Sequence, residues 1–144
     1  MSDAEFMRRA LSLASSGVGL TGDNPSVGCV IVRDEVIITE ARTADGGRVH
    51  AEEWAVALAD TQGSTVYVTL EPCAKRSAGG ASCSELLVQA GVARVVVAVG
   101  DPHPLVGGAG IERLRAAGIA VEVGLLADEA RALNTDFFAK WTAP

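Results

Sequence analysis

Val66-Tyr67-Val68-Thr69-Leu70-Glu71-Pro72-Cys73 reads as a short strand running straight into Pro-Cys. Residues 66–70 are β-branched, aromatic or apolar, the composition of a strand. Glu71 to Ser82 is irregular, and helical spacing returns from Cys83 to about Ala90. Val92 to Val99 is a second, strongly β-branched strand. Strand, helix and strand in succession form a crossover between parallel neighbours.

Upstream, Asp3 to Ser16 reads as a helix, with Phe6, Met7, Ala10, Leu11 and Ala14 recurring at helical spacing. Ser2 or Asp3 can cap it and Gly17 can end it. Val18 to Pro25 is a loop. Val27 to Val32 and Glu35 to Ala41 are two strand-like runs around Arg33-Asp34, which suggests a hairpin. Gly46-Gly47 marks a turn. From His50 the pattern is helical, with Ala51, Trp54, Ala55, Leu58 and Ala59 on one face and His50 and Glu52 in the first turn. Downstream lie a turn at Gly107 to Gly110, a helix from Ile111 to Ala117, a strand from Ile119 to Val123, and a last helix from Leu125 to about Lys140. The order α-β-β-α-β-α-β-α-β-α predicts one α/β domain over 1–144, a three-layer α/β/α arrangement around a mixed five-stranded sheet.

The chain has 144 residues, 49% hydrophobic and 21% charged, enough to bury a core and unlike a disordered segment. Its net charge of −6 argues against broad nucleic-acid binding. No apolar run approaches the ~18 residues of a membrane helix, and the N-terminus lacks signal-peptide features. A cytoplasmic setting is expected. The three cysteines fit it, being odd in number. Cys29, within the apolar run 27–32, reads as a buried core thiol.

His50-Ala51-Glu52, Pro72-Cys73 and Cys83 carry the chemistry. One His and two Cys supply three ligands of a tetrahedral zinc ion and leave the fourth position for water, as in catalytic sites. This donor set favours zinc over magnesium or calcium. Both ligand clusters begin helices, where unpaired N–H groups favour thiolates. Glu52, two residues past His50, is the natural proton carrier, the arrangement of zinc deaminases. Glu53 reads as a solvated helix residue. His103 is expected near the site mouth, as a loop residue or substrate contact.

The chain resembles the cytidine-deaminase-like superfamily, and more narrowly the deaminase domain of the RibD-type riboflavin-biosynthesis proteins. The resemblance rests on Asn24-Pro25-Ser26-Val27-Gly28, on Gly46 to Glu52, on Val66 to Cys73, on Asp101 to Gly110, and on Leu133-Asn134 with Phe137-Phe138. It implies zinc-dependent hydrolytic deamination of 2,5-diamino-6-(5-phosphoribosylamino)pyrimidin-4(3H)-one, with His50, Cys73 and Cys83 as ligands, Glu52 as proton shuttle and Asn24 as a substrate contact. A side-chain amide can both donate to and accept from a pyrimidine edge. Asp101 and His103, in the D-P-x-P segment, are further candidate substrate contacts. The resemblance also implies a homo-oligomer, and Phe137, Phe138 and Trp141 would lie at an interface or cap the sheet.

Three features depart from the family pattern. The segment between the cysteines, Ala74 to Ser82, is one residue longer and lacks the usual His and Pro. Lys75 and Arg76 in it are candidate phosphate contacts. Gly108-Ala109-Gly110 lacks a common arginine. No reductase domain follows, so a reductase step is expected from a separate protein. A deaminase acting on another amino-heterocycle, and a non-catalytic paralogue, stay open as alternatives. Transfer-RNA editing is disfavoured, because P-C-x-x-C is absent and the chain is acidic.

Overall fold

The computed structural model describes residues 2–74, 80–104 and 107–142, with side chains described as far as residue 140. Lys75, Arg76 and the Trp141 side chain lie outside the described residues.

Helix α1 (Asp3–Gly17) starts on a capping box. The Ser2 hydroxyl accepts from the Glu5 N–H, and the Glu5 carboxylate accepts from the Ser2 N–H. Strands β1 (Gly28–Arg33) and β2 (Val36–Arg42) form the expected hairpin. Its turn is Asp34-Glu35, one residue later than the sequence suggests. Both residues have positive φ, 53° and 63°, the backbone of the two-residue turn that matches strand twist. A short 3₁₀ turn (Asp45–Gly47) follows, and then α2 (Ala51–Ala57), β3 (Thr65–Leu70), α3 (Cys83–Gln89), β4 (Arg94–Val99), α4 (Ala109–Ala116) and β5 (Ala120–Val123).

The sheet order is β2-β1-β3-β4-β5. β1 is antiparallel to β2 and β3, while β3, β4 and β5 run parallel. Helices α1 and α5 (Ala127–Leu133) cover one face, and α2, α3 and α4 cover the other. The central strands β1, β3 and β4 are buried along nearly their whole length, as strands covered on both faces must be. The three-layer mixed sheet therefore matches expectation.

Two expectations change. The last helix is broken into α5 and α6 (Thr135–Thr142) at Asn134, whose backbone leaves the helical region (φ −126°, ψ 49°). Its side-chain oxygen accepts from the Ser26 N–H and its amide nitrogen donates to the Ser26 carbonyl, both at 2.9 Å. That paired contact holds the residue out of a continuous helix. The inward face of α2 is Ala51, Glu52 and Ala55, whereas Trp54 and Leu58 are 44% and 61% exposed. Small residues face the sheet here, so the helix packs close and its bulky residues point away.

The fit of α1 on the sheet depends on Gly28. An added Cβ would lie 1.8 Å from the Ala10 carbonyl oxygen. Gly28→Ala is expected to lower stability by about 3 kcal/mol or more, the upper end of overpacking costs, read as a reduced urea midpoint. A second tie is Asp3, which accepts from Arg94 at 2.7 Å and from the Tyr67 hydroxyl at 2.5 Å. The Arg94 bond foremost, then Tyr67, holds the Asp3 carboxyl at about 2, below its ordinary 3.8. Its contribution is complete above the unfolded value and is lost as pH falls through the folded one. Asp3 is 43% exposed, so the gain stays within about 1 kcal/mol. Wild type and Asp3→Asn are expected to differ in stability at pH 6 and to converge as pH approaches 2.

Candidate active site

The parallel strands β3 and β4 end at the same edge of the sheet, which is where open α/β sheets place their ligands. β3 delivers Glu71, Pro72 and Cys73 there; β4 delivers Gly100 and Asp101. His50 arrives as the N-cap of α2 rather than inside its first turn. Its N–H donates to the Glu53 carboxylate at 3.4 Å, so Glu53 fixes the helix start and is more than a solvated residue. Cys83 is the first residue of α3, after a second capping box between Ser82 and Glu85.

The first turn of α3 wraps onto Cys73. The Cys83 N–H donates to the Cys73 sulfur at 3.2 Å, and the Ser84 N–H donates to the Cys73 carbonyl at 3.0 Å. The Cys73 thiol is held down at about 4, chiefly by a hydrogen bond from the Cys83 side chain, with His50 and the Cys83 N–H assisting against burial. His50 Nδ1 lies 3.4 Å from Cys83 Sγ and 3.9 Å from Cys73 Sγ. All three donor atoms fall within 4.8 Å of one another. Zinc bonds of about 2.3 Å to sulfur and about 2.1 Å to nitrogen, at tetrahedral angles, set N···S at about 3.6 Å. The observed spacings bracket that value, so the donor set fits zinc in chemistry and in span.

Beside these residues is a cavity of about 180 Å³ lined by Asn24, Pro25, Val27, Thr43, His50, Glu52, Leu70, Glu71, Cys73, Asp101 and Phe137. Its size suits one small ring rather than a drug-sized ligand. Glu52 is only 4% exposed and reaches this wall from α2. Cys29 lies in the core as expected. Burial pushes its thiol up, and the Glu52 carboxylate adds to the effect. The Asn24 amide nitrogen donates to the Gly47 carbonyl at 3.0 Å. Gly47 has φ +92°, and a Cβ there would sit 2.6 Å from that same nitrogen, so only glycine lets the amide take its place. Asp101 lines the cavity, and its side chain accepts from the His103 N–H at 2.9 Å. His103 is not among the described residues that line it.

Sequence reasoning missed two residues. Glu71 is buried, and its carboxylate accepts from four backbone N–H groups: Asp101 and Gly108 on one oxygen, Gly110 and Ile111 on the other, at 3.0 to 3.4 Å. An acidic residue directly after a fully apolar strand was the available signal, since buried charges must be satisfied. Phe137 forms part of the cavity wall, while Phe138 packs in the core.

A family profile for the cytidine and deoxycytidylate deaminase zinc-binding region matches residues 1–99. The riboflavin biosynthesis protein RibD of Actinobacillus pleuropneumoniae is 46% identical over 96% of this chain and 37% of its own length. A diaminohydroxyphosphoribosylamino-pyrimidine deaminase of Buchnera aphidicola subsp. Acyrthosiphon pisum is 40% identical over 97% of this chain and 96% of its own. A solved structure of Acinetobacter baumannii RibD superposes with a TM-score of 0.93 at 45% identity, covering 98% of this chain and 40% of that one. The chain thus spans well under half the length of the RibD relatives it matches.

Glu71→Gln would set an amide N–H₂ against backbone donors. It is expected to lower stability by about 2 kcal/mol or more, the scale of hydrogen bonds to a charged group. Hydrogen exchange at Asp101, Gly108 and Gly110 should accelerate more than exchange in β1.

Proposed function

Since the chain belongs to the cytidine and deoxycytidylate deaminase family, and within it to the diaminohydroxyphosphoribosylamino-pyrimidine deaminases, we propose that it hydrolytically deaminates 2,5-diamino-6-(5-phosphoribosylamino)pyrimidin-4(3H)-one. The observation that carries this reading is the convergence of His50, Cys73 and Cys83 on a cavity that Glu52 also lines. A zinc ion held by those three residues would supply Lewis-acid activation of a water.

The chain's own residues do the rest. Glu52 takes a proton from the attacking water, passes it to the ring nitrogen, and later delivers a proton to the departing amino group. The water oxygen bonds to the amine-bearing ring carbon, the C–N bond breaks, ammonia leaves and a carbonyl remains. Asn24 offers its amide to the polar edge of the pyrimidine. Val27, Leu70 and Phe137 exclude bulk water from the ring, which strengthens each polar contact inside. Asp101, held by Glu71, stands at the wall as a second polar contact for substrate. His103, whose N–H donates to the Asp101 carboxylate, acts on substrate only at the mouth, and Lys75 and Arg76 are phosphate contacts under this reading.

The same reading carries one deaminase domain over 1–144, self-associating subunits and a reductase acting next on the product. A cytoplasmic setting belongs to the same reading. No helix among the described residues is long and apolar enough to cross a membrane. The sequence of Ala74 to Ser82 favours a second reading, in which the same chemistry serves a different amino-heterocycle.

Purified protein is expected to hold one zinc per chain and to release ammonia from the diaminopyrimidine phosphate. Glu52→Gln should keep the zinc while losing activity by roughly 10²–10⁴-fold, the usual worth of a general acid–base. Zinc binding without turnover of that compound, but with turnover of another heterocycle in an ammonia-release panel, would transfer the assignment to the second reading.

A further inference from the structure

Cys73 and Cys83 are separated by nine residues, against two in P-C-x-x-C, so the segments that carry them are farther apart in the chain. We propose that Arg113 of α4 is a positioning residue for the metal centre, clamping together the two segments that carry the cysteine ligands. This inference rests on the zinc reading above.

Arg113 Nη1 donates to the carbonyl of Ala74, the residue after Cys73. The same nitrogen reaches the hydroxyls of Ser82 and Ser84 at 3.2 and 3.4 Å and the Glu85 carboxylate at 3.3 Å. Those three residues flank Cys83. One nitrogen carries two protons, so the four acceptors share them, and the nearest is Ala74. Arg113 therefore bridges the two ends of the 74–82 segment.

The helix that carries it is itself fixed to the ligand strand. Glu71 takes the free N–H groups of the first turn of α4. Gly110 sits so close to the Pro72 carbonyl that an added Cβ would lie 1.9 Å from that oxygen. The base of Arg113 is thus held at a set distance from Pro72-Cys73, although its side chain is 42% exposed. An exposed Arg–Glu pair alone contributes little to stability. The bridge matters instead because bringing two chain segments together costs entropy, and segments joined before the metal arrives present both sulfurs already spaced. Groups that orient metal ligands in this way typically change metal affinity by ~10- to 100-fold when removed.

The test compares full-length Arg113→Ala and Arg113→Lys with wild type and with Arg131→Ala, which breaks only an exposed pair with Asp128 on α5. Zinc release to a chromogenic chelator is timed, the cobalt-substituted protein's absorption spectrum is recorded, and unfolding of the metal-free proteins is followed. Arg113→Ala is expected to release zinc at least ~10-fold faster and to alter the thiolate and d–d bands. Arg113→Lys, with one compact ammonium, should fall between it and wild type, and Arg131→Ala should match wild type. Native release rates in both Arg113 variants overturn the proposal, even where the metal-free variants unfold earlier. If Arg113→Ala fails to fold, Arg113→Lys decides on the same criterion. Wild type that holds no zinc overturns the zinc reading itself and this inference with it.

Discussion

One buried carboxylate joins the parts of this molecule that matter for its chemistry. Glu71 stands where β3 ends, and its two oxygens accept from the backbone after β4 and from the first turn of α4. A carboxylate in such a place is tolerable only because its charge is met by several N–H donors. The donors at Gly108, Gly110 and Ile111 are groups that a helix start leaves unpaired, and Gly108 at the N-cap has no side chain to take them. The strain of burying a charge and the strain of an uncapped helix are relieved by the same contacts.

From that junction the site follows in short steps. Pro72 and Cys73 leave β3 in a direction set by Glu71, and the first turn of α3 folds back on Cys73 through its sulfur and its carbonyl. Asp101 leaves β4 within reach of the same carboxylate and turns its own side chain to His103. His50 comes from the antiparallel side, and the Glu53 bond at the start of α2 sets its backbone. The candidate metal donors therefore arise from three separate chain segments, each braced by a capping or backbone contact rather than by packing alone.

Much of this was legible in the sequence. The strands at 28–33, 65–70 and 94–99 read clearly because burial on both faces demands unbroken apolar runs. The convergence of His50, Cys73 and Cys83 was legible because Pro-Cys after a strand, with His-x-Glu at a helix start one β-α unit earlier, is a specific combination although each piece alone is common. The break at Asn134 did not, because periodicity continues through it, and the cause is a contact with Ser26, more than a hundred positions earlier. Trp54 and Leu58 misled for a related reason: helical spacing marks a stripe, and the stripe facing the sheet is the one built from alanines. At Glu71 the sequence signals a buried acid after an apolar strand but not its partners, which are backbone groups after β4 and at the start of α4.

The Asn134–Ser26 contact also bears on the order in which the molecule is made. Ser26 adjoins the Asn24-Pro25 wall, and Asn134 introduces the helix that brings Phe137 to the same cavity. The candidate metal donors at 50, 73 and 83 precede that wall by fifty residues or more in the chain, so they and their strands are made while it is still being synthesised. A nascent chain can thus bring its candidate ligands together around an open cleft, and the cleft becomes a chamber only when residue 134 returns to residue 26.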